Sequence, residues 1–416
     1  MKCRPLVSCL FCAALGLAFS TAHPTGIVLS VCFPSIALRA PARFSAWLSA
    51  GCYYACSAWS LIPAARNFFG PNVGLLEALS WWLAAAALLS LPWAWAWSPK
   101  ASHRALWCVA ALLATAIPPL GLIGWASPLT ASGYLFPGTA WFGVLTIVCG
   151  IAALCVAPRS TLVGVVSFAT FANAVYTAPP ALPWETIDTR LGEISHHRTT
   201  AANELANVET IQRIARLSSA RVIVFPETVV PRWNDATELF WAKTIAELRA
   251  AGKTIIVGSK IIAPDRSEYL QQDLSAAISI LQSSSHTVPV LVADDPPGLR
   301  SFRNVLIIRG HDDSVFEQRV PVPFGMWRPF QNAGVRLRLD GRGTIQVAGE
   351  RTAVLICYEQ LLTWPMLASM WEHPTAVIAV ANDHWSVGTK VPEVQTAAVR
   401  AWARLNAIPY VSATNF

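Results

Sequence analysis

Three short segments in the second half of the chain place reactive residue types directly after runs that read as buried strands. The first is Phe225-Pro226-Glu227-Thr228, a carboxylate after Arg221–Phe225 (RVIVF). The second is Ile356-Cys357-Tyr358-Glu359, a thiol after Ala353–Ile356 (AVLI) where a helix is expected to begin. The third is Ala381-Asn382-Asp383-His384-Trp385, after Thr375–Val380 (TAVIAV). A thiol beside a carboxylate is a nucleophilic arrangement: the carboxylate takes the thiol proton and the thiolate attacks an acyl carbon. A helix N-terminus favours the thiolate. Backbone N–H groups there, that of Tyr358 among them, hold a developing oxyanion. Each segment alone also has a plainer reading. A free Cys more often only packs, a Glu after Pro often only opens a helix, and His384 beside Asp383 more often bonds locally than catalyses.

The elements that must position these groups alternate. Thr254–Gly258 (TIIVG) and Asn304–Arg309 (NVLIIR) also read as strands, and helical stretches lie at about 200–219, 236–251, 359–371 and 391–407. Strands interleaved with helices indicate an α/β domain. Continuous apolar strands fit sheets covered on both faces, and functional groups in such folds gather at strand ends.

This texture covers only residues 181–416. The chain of 416 residues is 54% hydrophobic and 13% charged, far below the roughly 25% charge of soluble domains. Through residue 180 there are eight bases (Lys2, Arg4, Arg39, Arg43, Arg66, Lys100, Arg104, Arg159) and one acid, Glu77, which leaves 23 of each sign beyond. All of the net +7 therefore lies in the hydrophobic half, and no direct contact with nucleic acid is expected. Nine of the ten cysteines lie there too; the pairs Cys9/Cys12 and Cys52/Cys56 lack accompanying His and read as small hydrophobes.

Apolar runs at 5–22, 24–38, 44–64, 72–98, 105–126, 133–157 and 160–178 suggest about seven transmembrane helices. Tryptophans near the run ends (Trp93, Trp95, Trp97, Trp107, Trp125, Trp141) suit interfacial belts. With Lys2 and Arg4 in the cytoplasm, seven of the eight bases fall inside, and residues 181–416 emerge on the far side, the periplasm of a Gram-negative cell. The expected location is the cell inner membrane, multi-pass, N-terminus cytoplasmic. Ser20-Thr21-Ala22 offers a cut site for a signal peptide, but the next run begins at once, which favours an uncleaved anchor.

The order FPET (225–228), VPVPFGMWRP (320–329), ICYE (356–359) and NDHW (382–385) resembles the carbon–nitrogen hydrolase (nitrilase) superfamily. The hydrophobic front end makes the layout similar to that of apolipoprotein N-acyltransferases, and Arg400, Arg404 and Ala413-Thr414-Asn415 fit that family's last helix and strand. A resemblance to conjugal transfer proteins of Ti-type plasmids extends over the whole chain. The superfamily resemblance implies a Glu–Lys–Cys triad in an αββα sandwich. Glu227 falls on the base, Cys357 on the nucleophile and Glu359 on a position that shapes the site; Tyr358 and Asn382 are expected to help position the reacting group. The lysine, five residues before Pro323, is replaced by Gln318 with Arg319 beside it, and the acid after the glycine by Met326. In a strand Arg319 points away from the face of Gln318. Lys260, at another strand end, is a substitute candidate. The chain stops at Phe416, where the family continues with more sheet, so either a trimmed domain or a short gene product is expected.

Two functions follow. One is a Cys thioester acyltransferase or amidohydrolase that takes its acyl group from a phospholipid or lipid-linked donor. The other is a nitrilase-like membrane component without catalysis. Other conjugal-transfer proteins are the partners the resemblance implies. A transporter is disfavoured, because Arg66 and Glu77 alone put charge near or within the spans. With no phosphate loop, HExxH or paired CxxC in the polar half, no cofactor or metal is expected.

Overall fold

The computed structural model describes residues 5–70, 73–191, 201–262, 301–329 and 334–416. Lys2 and Arg4, which anchor the expected topology, lie outside the described residues.

The hydrophobic half is helical: α1 (Pro5–Ser20), α2 (Pro24–Leu29), α3 (Phe33–Leu38), α4 (Arg43–Ser57), α5 (Leu61–Phe69), α6 (Leu75–Ala96), α7 (Ala101–Ala116), α8 (Ser132–Leu135), α9 (Ala140–Leu154) and α10 (Pro158–Val175). The expectation of about seven full-length spans is corrected. Among the described residues only α6, with 22 residues, is long and apolar enough to cross a membrane by length and composition. Breakers cut the other runs. Run 24–38 is split by a 3-10 turn at Ser30–Cys32, α7 stops before Pro118-Pro119, and Pro137 and Gly138 separate α8 from α9. A helix of 16 residues such as α1 rises only about 24 Å, against a hydrocarbon core of about 30 Å.

The polar half is built on two sheets. β1 (Trp184–Thr186), α11 (Ala201–Leu217), β2 (Val222–Val224), α12 (Asp235–Ala250), β3 (Thr254–Ile262), β4 (Ser301–Gly310), β5 (Ser314–Glu317) and β6 (Gly334–Val335) supply the first. Its order is β1-β2-β3-β4-β5, with β6 beside β4; β1, β2 and β3 run parallel and β4 is antiparallel to β3 and β5. β7 (Thr344–Val347), β8 (Glu350–Ile356), α13 (Thr363–Met370), β9 (Ala376–Asn382), α14 (Val391–Asn406) and β10 (Tyr410–Asn415) form the second, in the order β10-β9-β8-β7.

Alternation along the strands makes the layers. Val222 and Val224 face the space between the sheets and meet Val354, Ile356, Ile378 and Val380. Their neighbours Ile223 and Phe225 face outward onto α11 and α12. On the other side Leu355, Val377 and Ala379 face α13 and α14. The result is the αββα sandwich that the resemblance implies. α12 starts where Asn234 Oδ1 accepts from Thr237 N at 2.9 Å, with Asp235 and Glu238 in its first turn and Arg249 in its last, charges that suit the helix dipole.

The outer layer of the second sheet shares its core with the helical half; Trp402 and Leu405 of α14 belong to the same cluster as Leu129 and Phe136. Tyr134 Oη donates to Ala397 O at 2.9 Å, and Gly138 N to Arg404 O at 2.8 Å. A Cβ on Gly133 would lie 1.7 Å from Ala401 O, so glycine is required for α8 to touch α14 this closely.

Candidate active site

Glu227 leaves β2 and turns back between the sheets, 4% exposed. Its Oε2 accepts from Asn382 N at 2.9 Å and its Oε1 from Asn304 Nδ2 at 2.5 Å. A Cβ on Gly258 would lie 2.4 Å from Glu227 Cα and from Thr228 N, so β3 approaches the base this closely only with glycine there.

Cys357 follows β8 and is 3% exposed, with its thiol and the Glu227 carboxyl close enough to act on each other. Its φ is +50°, a left-handed conformation costing a non-glycine residue roughly 1–2 kcal/mol. Such strain at a reactive residue accompanies function. Gln395 Nε2 on α14 holds the Cys357 carbonyl at 3.1 Å. The helix expected to begin here is a five-residue 3-10 turn, Cys357–Leu361, and α13 starts only at Thr363. The positive φ and Pro365 account for this, since Pro clashes with a helical carbonyl four residues earlier.

The turn does not favour the thiolate as the sequence suggested. Burial pushes the Cys357 thiol well above its ordinary value, and the charges of Glu227 and Asp383 add to this. Burial also raises Glu227, opposed by hydrogen bonds from Asn304, Asn382 and Cys357 and by the charge of Lys260. The thiol is thus favoured in its neutral form beside Glu227, an arrangement for proton transfer during attack.

Gln318 and Arg319 diverge as strand alternation requires. Gln318 is fully buried at the site: Nε2 donates to Ile356 O at 3.0 Å, and Oε1 accepts from Asn304 Nδ2 at 2.9 Å. Asn304 thus bridges Gln318 and Glu227. Arg319 turns away; its guanidinium donates to Pro365 O and Val354 O, both at 3.0 Å, and to Ser369 Oγ at 3.1 Å. Glu359 joins Arg319, accepting from the backbone N–H of Arg319, Val320 and Ile356. Tyr358 sends its hydroxyl to Leu122 O in the helical half at 2.9 Å. Of the residues singled out, Glu227, Gln318, Cys357 and the Asn382 backbone converge; Arg319, Glu359 and the Tyr358 side chain lie around them.

Sequence reasoning missed two site residues. Asn304 was visible only as the single polar residue opening an apolar strand. Asp383 appeared only as part of NDHW. It is 2% exposed, and burial with the charges of Glu227 and Glu393 raises its carboxyl to about 7. The helical half also reaches the site: Phe68 of α5 meets Trp385 edge-on at 5.4 Å and lies over Gly325. Among the described residues no cluster of three or more His, Cys, Asp or Glu has metal-holding geometry.

A carboxylate from one sheet and a strained thiol from the other, inside the αββα sandwich that the nitrilase resemblance implies, form the candidate site. No family model matches the chain. The conjugal transfer protein TraB of Agrobacterium fabrum is 30% identical over 410 residues, covering 92% of this chain and 86% of that protein. A probable conjugal transfer protein TraB of Sinorhizobium fredii is 28% identical over 399 residues, covering 93% and 92%. The chain belongs to the family of conjugal transfer protein TraB. Among solved structures, a double mutant of an amidase from Nesterenkonia sp. AN1 in complex with acrylamide superimposes with a TM-score of 0.36 at 10% identity, over 57% of this chain and 79% of that one. An amidase from Nesterenkonia sp. gives 0.35 at 11%, over 56% and 75%.

Proposed function

We propose that the chain is a membrane-bound thiol acyltransferase or amidohydrolase acting in conjugal plasmid transfer. The observation that carries this reading is the strained Cys357 beside the buried Glu227 carboxyl, the two groups acting on each other. On attack, Glu227 takes the thiol proton and sulfur bonds the acyl carbon. The acyl–oxygen or acyl–nitrogen bond breaks, and Glu227 returns the proton to the leaving group, which leaves a thioester. Water or an amine then attacks, giving its proton to Glu227; the carbon–sulfur bond breaks and the thiolate recovers that proton. The role in conjugation rests on the curated relatives, and other transfer proteins are the proposed partners.

We place the helical half in the cell inner membrane, multi-pass, with the N-terminus cytoplasmic and the nitrilase-like half periplasmic. Outward apolar side chains support this: Leu10 and Phe11 on α1, Leu76 on α6, Phe142 on α9 and Phe171 on α10 are all exposed, as lipid-facing surfaces are. α9 supports the orientation. Its start meets the nitrilase-like half through Trp141 and Trp371, whose rings are 4.7 Å apart. Its far end receives Arg39, which donates to Leu154 O at 2.7 Å, with Arg104 nearby. Basic groups thus gather at the end remote from the polar half, as cytoplasmic loops require. Alkaline phosphatase fused after residue 180 should be active in cells; an inactive fusion with an active cytoplasmic reporter at the same point reverses the orientation.

A second reading, binding without turnover, is favoured by Gln318, whose neutral amide is committed to Asn304 and Ile356. The protein purified in detergent with bacterial phospholipid separates the two. Intact-mass and peptide mass spectrometry would detect an acyl adduct on Cys357, with Cys357→Ala and Glu227→Gln as controls. An adduct that needs both residues supports the enzyme, and its mass identifies the donor. No adduct, with conjugation unaffected by Cys357→Ala, leaves the binding role.

A further inference from the structure

The site has a charge problem. Two carboxylates, Glu227 and Asp383, act on the Cys357 thiol, and attack would add negative charge to an acyl oxygen. The neighbouring amides, Gln318 and Asn304, are neutral. The buried cation Arg319 is occupied on the opposite face with Glu359. Ionising a group among buried carboxylates without a compensating cation is costly.

We propose that Lys260 is the positive charge of this site, in place of the one that Gln318 does not supply, an inference that rests on the thioester reading. Three placements point to it. The antiparallel register of β3 and β4 sets Lys260 directly opposite Asn304, and directly opposed residues project from the same face. From that face Asn304 Nδ2 reaches Glu227 Oε1. Two residues before Lys260, Gly258 presses on the Glu227 backbone so closely that no Cβ fits; side chains two apart share a face, so Lys260 also projects toward the base. The Lys260 backbone is pinned there too, its carbonyl accepting from Trp233 N at 2.8 Å in the segment that follows Glu227.

The ammonium lies over the Phe302 ring, 5.4 Å from its centroid, and Lys260 is only half-buried. Its charge lowers the Glu227 carboxyl against the effect of burial. Of the site's titratable groups it acts on Glu227; Glu227 in turn acts on Cys357 and Asp383, and Glu393 acts on Asp383 from α14. In this role Lys260 transfers no proton. It favours the ionised form of the pair and the oxyanion, acting through charge. Its placement separates the cation from the strand position that Gln318 occupies.

The reactivity of Cys357 tests this without a known substrate. The full chain in detergent is treated with iodoacetamide across a range of pH, and modification of Cys357 is followed by peptide mass spectrometry. The same cysteine in the urea-unfolded chain is the benchmark, and thermal unfolding checks that each variant is folded. Lys260→Met should move the rate profile to higher pH and slow labelling near pH 7.5 by about tenfold, the equivalent of one pKa unit. Lys260→Arg, which keeps the charge, should stay within about twofold of the parent on the same scale. A parent-like profile for Lys260→Met, in a chain whose labelling does change with Glu227→Gln, overturns the assignment. Equal losses in the Met and Arg variants overturn it as well, since packing and not charge would then be at work. Labelling unaffected by Glu227→Gln means the thiol is not coupled to its base, and the thioester reading itself falls.

Discussion

Arg319 and Glu359 face each other at 3.5 Å (Nε to Oε1), with side chains only 4% and 0% exposed. They lie behind the reacting residues. Through the N–H groups of Arg319, Val320 and Ile356, Glu359 clamps the segment after β5 to the end of β8. That clamp fixes Gln318 relative to Cys357, so a charged pair touching no substrate sets the geometry of the residues that would.

Breaking this pair from one side should be costly. Glu359→Gln leaves the Arg319 guanidinium buried without its counter-charge, and Arg319→Met does the same to the carboxylate. A buried pair that loses one partner typically destabilises by about 3–5 kcal/mol. Each single variant should therefore show a clear drop in thermal unfolding midpoint in detergent, and the double variant should recover part of it. Single variants that melt like the parent would show that the clamp carries no weight.

Asp383 gives the fold a pH dependence of definite sign. Its carboxyl has an ordinary value of 3.8 and is raised to about 7 by burial and by Glu227 and Glu393. Between those values the folded chain holds a proton that the unfolded chain has released, so stability falls as pH rises from about 4 to about 7. Glu227, raised in the same direction, adds to the slope. Asp383→Asn should flatten the decline in unfolding midpoint between pH 5 and pH 7.5. An unchanged slope would mean that Asp383 is ionised in the folded chain across that window.

The sandwich was legible because its strands announce themselves. RVIVF, TIIVG, NVLIIR, AVLI and TAVIAV are buried on both faces, and each forms a strand. Short edge strands such as Ser314–Glu317 carry no such run, since an edge need not be apolar throughout. The order FPET, ICYE, NDHW pointed to the residues that converge, because the chemistry sits at strand ends. Asn304 escaped notice because its importance is a matter of register: only pairing β4 against β3 brings its amide to Glu227. The helical half misled for a related reason. Hydropathy records how apolar a run is and ignores where Pro and Gly cut it, so runs such as 24–38 and 133–157 looked continuous and folded in pieces. The thiol's environment was misjudged as well. The helix expected after Cys357 would have favoured the thiolate, but the positive φ at that residue and the two buried carboxylates act the other way.

Gln318 offers the sharpest test of whether the site turns over. Its side chain is fully buried with a carbonyl, Ile356 O, as acceptor 3.0 Å away, so a lysine ammonium placed there finds a hydrogen-bond partner and keeps its charge beside Glu227. Gln318→Lys removes the acceptor of one Asn304 hydrogen bond, at a cost of about 1 kcal/mol, and supplies a cation where the nitrilase pattern has one. A single well-placed oxyanion donor is typically worth roughly 10²–10³ in rate. Acyl-adduct formation on Cys357 should therefore rise by at least about tenfold in this variant and vanish when Cys357→Ala is added. The same substitution should restore adduct formation to a chain carrying Lys260→Met, because either lysine would then serve the oxyanion. If Gln318→Lys folds and still gives no adduct with any lipid or amide donor, charge was not what the site lacked, and binding without turnover is the reading that stands.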